Sequence, residues 1–262
     1  MKRKLPQVNE HDVIEAIKAL PAQKNRSKAF GFRKLFSTNP KTKKSDKAGL
    51  YLTVIVHLLP GGTCEWASEG CLFGCLHTAG NKCFMPAKQI ARRARTELFW
   101  TAPNVFFALL VVEMRAFIRK CDKLGRKPAV RLNGTSDLPY EQIAPWLFVM
   151  FPEVRFYDYT KGLCRLGKTP SNYWLTFSRS EVNDFEVGVA LARGHHVAVV
   201  MQGAKRHLPS TWNGYGTENG DKDDLLFLRD NPVQVLYPKG KARQDKTGWV
   251  MANPLVQLSV AC

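Results

Sequence analysis

The chain has 262 residues, of which 45% are hydrophobic, and its formal net charge is +17 at pH 7. This composition excludes a disordered or fibrous chain and fits one large globular domain or two small ones. The apolar runs are far shorter than the roughly 18 residues of a membrane span, and the first residues contain no apolar core of a secretion signal. We therefore expect a cytoplasmic protein with reduced cysteines and no membrane partner.

The first predicted element is a basic N-terminal helix and arm, residues 1–48. This segment holds thirteen Lys or Arg against four Asp or Glu, so it contributes nine units to the net charge of +17. Residues 9–20 within it are predicted to form an amphipathic helix. Phe30, Phe32 and Phe36 alternate with the basic residues, a composition typical of segments that contact phosphates and stack on bases. The alternative is a solvated arm that keeps the protein soluble.

Residues 49–262 are predicted to form an α/β domain. Its first strand is the β-branched run up to residue 59, and a glycine-rich loop with four cysteines, residues 61–83, follows directly. Two helices divided at Pro103 come next, and strands and helices then alternate along the chain. Six consecutive units predict a parallel sheet in the form of a (βα)6-type partial TIM barrel.

Polar residues gather where the predicted strands end. In parallel α/β folds, ligands bind at the carboxyl ends of the strands, on the loops that lead into the helices. We therefore expect a small or phosphorylated ligand at this edge, although any one of these residues could instead cap a helix. The predicted ligand-binding residues are Asn133, Thr135, Ser136, Asp137, Asp158, Lys161, Ser178, Arg179, Lys239, Lys241 and Arg243.

The four clustered cysteines have the spacing C-x6-C-x3-C-x7-C. Reduced thiols at this density in a cytosolic chain indicate a metal site. An iron–sulfur cluster is favoured over zinc, because zinc sites prefer closely spaced cysteine pairs and only Cys71 and Cys75 form one. A nucleophilic cysteine activated by His57 or His77 is the competing interpretation. The predicted metal ligands are Cys64, Cys71, Cys75 and Cys83.

Several blocks of the sequence resemble a known family. The stretch STNPKTKKSDKAGLYLTVIVHLLP, the cysteine motif ending in CLHTAGN, and the blocks AVRLNGTSDLPYE, FPEVRFYDYTK, NYWLTFSRSE and GKARQDKTGWV are similar to the phage family called gene product 88, over roughly residues 36–250. The resemblance implies a phage origin, the host cytoplasm as location and no assigned reaction. It places the family's cysteine motif on Cys64, Cys71 and Cys75, with Cys83 outside it.

A more distant likeness connects the predicted barrel with radical SAM enzymes. These hold a four-iron cluster on three cysteines after the first strand, although their usual spacing, C-x3-C-x2-C, differs from this one. The likeness implies a [4Fe–4S] cluster with one open position for S-adenosylmethionine. The turn after the second strand and Ser178 or Arg179 would bind the S-adenosylmethionine.

The sequence therefore predicts a phage iron–sulfur protein with a radical-SAM-like barrel. The alternative is a zinc-stabilised phage protein that binds nucleic acid or modulates the host. Whether the protein is an enzyme stays open, and no catalytic residue is assigned.

Overall fold

A computed structural model describes residues 3–21, 26–47, 49–79 and 86–258. Cys83 lies outside the described residues. The helices are α1 (Glu10–Ala19), α2 (Pro40–Lys47), α3 (Glu69–Phe73), α4 (Pro86–Thr101), α5 (Pro103–Lys123), α6 (Tyr140–Ile143), α7 (Trp146–Met150), α8 (Asp184–Ala192) and α9 (Pro254–Leu258). The strands are β1 (Phe36–Ser37), β2 (Tyr51–Val56), β3 (Lys127–Arg131), β4 (Arg155–Thr160), β5 (Tyr173–Ser178), β6 (Val197–Met201), β7 (Thr211–Trp212), β8 (Tyr215–Asn219), β9 (Val233–Leu236) and β10 (Val250–Met251).

The strands form one large sheet in the order β1-β2-β3-β4-β5-β6-β9-β8-β7, and β10 pairs with β6. All pairings are parallel except those of β1 with β2 and of β7 with β8 at the two edges. The prediction of an α/β fold with a mainly parallel sheet is confirmed. The sheet is open, so the finer prediction of a partial TIM barrel is not confirmed.

Not every crossover contains a helix. Between β4 and β5 the chain forms only a short 3-10 turn, Leu163–Arg165, because glycine and proline interrupt this segment. After β6, where the sequence predicts a long polar loop, β7 and β8 form a hairpin. Its turn is Asn213-Gly214, with both residues at positive φ, the turn type that matches the twist of an antiparallel pair.

The two faces of the sheet differ in chemistry. One face carries apolar side chains of β2 to β6 and β9 into the main core, where they meet the buried side of α5. Phe106, Phe107 and Met114 on that helix are fully buried. On the opposite face, polar side chains such as Thr53 and Arg131 alternate with the apolar ones, since successive residues of a strand point to opposite sides.

Helix α2 lies on this polar face and is held there by buried ion pairs. Nζ of Lys41 lies 2.9 Å from a carboxylate oxygen of Asp224 and donates to the hydroxyl of Tyr159 at 3.1 Å. The guanidinium of Arg131 lies 4.0 Å from the same carboxylate and 4.5 Å from the centre of the Tyr159 ring. Helix α2, which belongs to the basic segment, therefore packs on the sheet, and Asp224 neutralises the charge of its Lys41.

The phenylalanines of the basic segment also contribute to the core. Phe32 is buried, and Phe30 and Phe36 are partly buried against the same main core. These rings are thus occupied within the fold, which removes base stacking from the argument for nucleic-acid binding. Nucleic-acid binding through the positive charge of residues 1–48 stays a prediction.

Within the described ranges, no helix has the length and hydrophobicity needed to cross a membrane.

We expect Asp224→Asn to destabilise the protein by about 3–5 kcal/mol at pH 7, because it leaves Lys41 and Arg131 buried without a counter-charge. Lys41 and Arg131 lower the pKa of Asp224 despite its burial. A carboxyl with a lowered pKa stabilises the fold above its unfolded pKa of about 4, and this stabilisation is lost as the pH falls further. The difference in unfolding free energy between the variant and wild type should therefore become smaller below about pH 4.

Urea unfolding at several pH values measures this effect. Asp230→Asn is the matched control, since Asp230 is exposed and its loss should change the unfolding free energy by less than about 0.5 kcal/mol. Equal stability of Asp224→Asn and wild type at pH 7 would contradict the role of the ion pairs.

Candidate functional site

The cysteine loop (residues 61–83, described to residue 79) lies across the carboxyl ends of the parallel strands, an edge here called the carboxyl rim. Its first part is attached to the turn after β3. The backbone N–H of Asp137 donates to the carbonyl of Thr63 at 2.8 Å, and Cys64 forms an isolated β-bridge with Asp137. The hydroxyl of Thr135 donates to the carbonyl of Leu58 at 2.6 Å. These bonds fix Cys64 beside the end of β3.

Helix α3, which carries Cys71, is attached to the turn after β5. One carboxylate oxygen of Glu181 accepts from the hydroxyl of Ser68 and the other from the backbone N–H of Gly70, both at 2.7 Å. The Ser68 hydroxyl oxygen in turn accepts from the N–H of Cys71 at 3.2 Å, as expected of an N-cap. The Glu181 carboxylate therefore holds the start of α3 against the rim.

The other side of α3 packs closely on the segment before β10. A side chain at Gly70 would overlap Thr247 and Trp249, and one at Gly74 would overlap the indole ring of Trp249. Only glycine permits this approach. Because Gly70 and Gly74 lie one helical turn apart, they place α3 flat on the tryptophan.

Cys64, Cys71 and Cys75 converge at the rim as reduced, half-buried thiols. Burial raises the pKa of Cys64 to about 11 and also raises the pKa of Cys75. The charge of Cys75 also raises the pKa of Cys64, and the charge of Cys71 raises the pKa of Cys75. Two cations adjoin the thiols: the ammonium of Lys161 interacts with the sulfur of Cys71, and Arg92 on α4 lies near Cys75. Lys161 and Arg92 act against the effect of burial at Cys75, without reversing it.

Most of the predicted ligand-binding residues after β3 and β4 bond to one another. The side-chain oxygen of Asn133 accepts from the Ser136 hydroxyl at 2.8 Å, and its amide donates to Asp158 at 3.2 Å. A carboxylate oxygen of Asp137 accepts from the backbone N–H of Lys161 at 2.9 Å. Burial raises the pKa of Asp158 to about 7, with Arg131 acting in the opposite direction. These residues build the rim on which the cysteine loop rests.

The residues after β5 and β9 divide into two groups. Arg179 donates to Asp184 at 2.8 Å and to the carbonyl of Gly248, and Lys239 pairs with Asp221. Ser178 is half-buried at the end of β5. By contrast, Lys241 and Arg243 are exposed on the 3-10 turn Gly240–Gln244, which contacts the turn Leu76–Thr78 of the cysteine loop.

Sequence reasoning missed three residues at the rim: Arg92, Arg165 and Trp249. It expected Glu181 only as one residue of the polar block after the strand that ends at Ser178. Local patterns identify none of them, because each acts on a segment far away in the chain. The one sequence signal was the presence of Glu181 and Trp249 in two of the blocks that resemble the gene product 88 family.

The fold and the site define an open α/β protein whose cysteine loop covers the carboxyl ends of a parallel sheet. The chain belongs to the gene product 88 family, whose family model matches residues 28–252. The predicted family resemblance is thereby confirmed and extends eight residues further towards the N-terminus than predicted, and the family fits the expected phage origin. No curated protein and no solved structure matches the chain, so the likeness to radical SAM enzymes finds no support there.

We expect alkylation of Cys64 by iodoacetamide to be slow at pH 7 and to accelerate about tenfold per pH unit up to at least pH 9, because the reagent attacks the thiolate. A pKa of about 11 keeps the thiolate fraction small over this range. Mass spectrometry of quenched samples gives the rate at each cysteine, and glutathione serves as the unperturbed thiol. A rate at Cys64 that levels off near pH 8.5 would contradict the raised pKa.

We expect Glu181→Ala to loosen α3 and to speed alkylation of Cys71 and Cys75 about tenfold or more. The substitution removes two hydrogen bonds to a carboxylate, each contributing roughly 1.5–3 kcal/mol. The matched control is Glu153→Ala, at an exposed position just before β4, which should leave both rates unchanged. Equal rates in Glu181→Ala and wild type would show that the carboxylate does not position the helix.

Proposed function

We propose that the protein binds an iron–sulfur cluster through Cys64, Cys71 and Cys75 at the carboxyl rim. The observation that carries the proposal is the convergence of three reduced thiols beside two cations, Lys161 and Arg92. Thiolates are the ligands that hold iron–sulfur clusters, and hydrogen bonds and charges near the sulfur atoms tune them. The cations would offset the negative charge of the thiolates and the cluster.

The spacing of the cysteines is the reason to propose a cluster ahead of a single zinc ion. Zinc sites prefer closely spaced cysteine pairs, and only Cys71 and Cys75 form one. Among the described residues, no group of three or more His, Cys, Asp or Glu side chains is arranged to hold a metal ion. The experiment below therefore tests the metal directly. A zinc site completed by Cys83 is the alternative that the experiment below distinguishes.

Three protein ligands would leave one position of a four-iron cluster open to a small molecule. The rim offers such a molecule the ammonium group of Lys161 and the exposed charges of Lys241 and Arg243. S-adenosylmethionine is one molecule to test in this position, on the analogy with radical SAM enzymes alone. Its binding to the cluster-loaded protein, followed by equilibrium dialysis, would support the analogy.

We expect protein purified without oxygen to be brown and to contain iron and inorganic sulfide. The single substitutions Cys64→Ser, Cys71→Ser and Cys75→Ser should each remove most of the iron, because a cluster that lacks one thiolate ligand dissociates more readily. Cys164→Ser is the control and should retain full iron, since Cys164 is an exposed cysteine away from the predicted ligand set. Iron and sulfide analysis with visible absorption spectra gives the readout.

Two further results identify the metal and the number of cysteine ligands. A colourless protein with one zinc per chain would overturn the cluster and favour the zinc alternative. Full iron content in Cys83→Ala would show that the site uses three cysteines and has an open position, whereas loss of iron would identify Cys83 as a fourth ligand.

A further inference from the structure

A cavity of about 410 Å³, here called the amino-end cavity, lies where strands β2 to β5 begin. The cysteine loop covers the opposite ends of these strands, so the length of β3, roughly 16 Å, separates the two places. The volume falls within the range of small-molecule sites, about 300–1,000 Å³. Charged side chains contribute much of the lining, which includes Tyr51, Asp122, Arg126, Lys127, Glu153 and Arg155.

Arg126 at this cavity is not needed to cap the preceding helix. Gly125 takes a positive φ just after α5, as is common at a helix C-terminus. The backbone N–H groups of residues 124–126 donate to the carbonyls of Cys121 and Asp122 at 3.0–3.1 Å. Because backbone groups satisfy these carbonyls, the Arg126 side chain has another role.

Two guanidinium groups are held on opposite sides of the cavity. Nη1 of Arg126 donates to the carbonyl of Asp46, shortly before β2, at 3.0 Å. Nη1 of Arg155 donates to the carbonyl of Ser171, just before β5, at 3.0 Å, and its guanidinium lies 5.6 Å from the centre of the Phe227 ring. A guanidinium has five N–H donors, so both groups are positioned by the backbone and keep donors for a ligand.

Among the described residues, the three cations at the cavity form no ion pair. The ion pairs of the structure join other residues, and none involves Arg126, Lys127 or Arg155. The carboxylate of Asp46, the residue that binds Arg126 through its carbonyl, accepts from the backbone N–H and the hydroxyl of Thr53 at 2.8 and 3.0 Å. Since guanidinium groups in partly buried places usually meet carboxylates or phosphates, the cavity suits an anion.

The strand register places the three cations in a row. Arg155 pairs with Ala129 of β3, two residues after Lys127, so the side chains of Lys127 and Arg155 lie on the same face of neighbouring strands. The Arg126 guanidinium lies on the β2 side of this pair, and that of Arg155 reaches towards β5. Neighbouring strands are about 4.8 Å apart, so β2 and β5 are separated by roughly 14 Å. A single phosphate is too small to contact both guanidinium groups, whereas a chain of phosphates carries charge along the row.

We propose that the amino-end cavity binds a small molecule with a chain of phosphate groups, such as a nucleoside triphosphate. The guanidinium forks of Arg126 and Arg155 bind phosphates at the two sides, and the ammonium of Lys127 adds charge between them. Asp122 and Glu153 are exposed lining residues that accept hydrogen bonds from hydroxyl groups and repel a long polyanion. They therefore favour a small molecule over a nucleic-acid strand. The inference is independent of the proposed cluster, which lies at the other end of the strands.

The test is isothermal titration calorimetry of the full chain with adenosine triphosphate, tripolyphosphate and inorganic phosphate in magnesium-free buffer. Wild type should bind both triphosphates saturably, and inorganic phosphate at least about tenfold more weakly, because it contacts one guanidinium only. Arg126→Gln and Arg155→Gln should each weaken triphosphate binding at least about tenfold, because charge-assisted hydrogen bonds are lost. Arg115→Gln is the matched control: Arg115 is exposed on α5 and outside the lining, so wild-type affinity is expected.

Two milder substitutions separate binding from misfolding. Arg155→Lys keeps the charge without the fork, so it should fold as wild type by circular dichroism and bind with intermediate affinity. Lys127→Met changes an exposed side chain and should weaken binding about two- to fivefold.

Three results would overturn the proposal. The first is the absence of saturable triphosphate binding by wild type. The second is an equal loss of affinity in Arg115→Gln and Arg155→Gln, which would indicate a general effect of charge. The third is displacement of adenosine triphosphate by citrate or by a single-stranded oligonucleotide as readily as by tripolyphosphate.

Discussion

The guanidinium of Arg165 connects the segments that form the carboxyl rim. This side chain is 1% exposed and donates to the carboxylates of Glu141 and Asp137, both at 2.7 Å, and to the hydroxyls of Thr160 and Tyr173, both at 3.2 Å. Three separate stretches of chain therefore share one cation. Since removing one partner of a buried ion pair is far more costly than the pair is stabilising, these segments hold their relative positions.

The position of the cysteines follows from this ion-pair network. Asp137 is fixed by Arg165, and its backbone N–H binds the carbonyl of Thr63, next to Cys64. The ring of Trp66, two residues after Cys64, lies 5.8 Å from the Arg165 guanidinium. The first thiol is thus placed by a cation that does not touch it. Glu181 places α3 and the second thiol in a similar way, through a carboxylate on the turn after β5.

The strands with apolar, β-branched sequences were predictable, and so was the pair of helices divided at Pro103, because their patterns are local. The predicted N-terminal helix is present as α1, and Asn9 caps it by accepting from the N–H of Asp12. The hairpin at Asn213-Gly214 was missed although that dipeptide is a strong local signal, since the strands beside it are short. The polar end of each strand predicted the rim, but not which residues there bind each other. Those pairings join residues far apart in the chain, so no single segment contains the information.

The open sheet is explained by its polar face. The interior of a closed parallel barrel is filled by layers of branched apolar side chains. Here that face carries the charge of Arg131, which meets Asp224 from the loop after β8 and Tyr159 from β4. Helix α2 covers the face and brings Lys41 to the same carboxylate. These charges need counter-charges from outside the sheet, and helix α2 supplies one of them. The strands on the opposite side of a closed barrel would place apolar side chains there instead. The strands therefore stop at two antiparallel edges instead of meeting.

The same electrostatic argument links the basic composition to the rim. Residues 49–262 contain 26 Lys or Arg and 18 Asp or Glu, a surplus of eight beyond the basic segment. Buried cations elsewhere in the protein have carboxylate partners, Asp224 for Lys41 and Asp137 with Glu141 for Arg165. Beside the thiols, Lys161 interacts with the sulfur of Cys71 as well as with Asp137, and Arg92 lies near Cys75 without a carboxylate. Burial raises the pKa of Cys64 to about 11, which keeps its thiol protonated at neutral pH. Negative charge at this place, on thiolates or on a cluster, would give Arg92 the compensation that Lys41 and Arg165 receive from carboxylates.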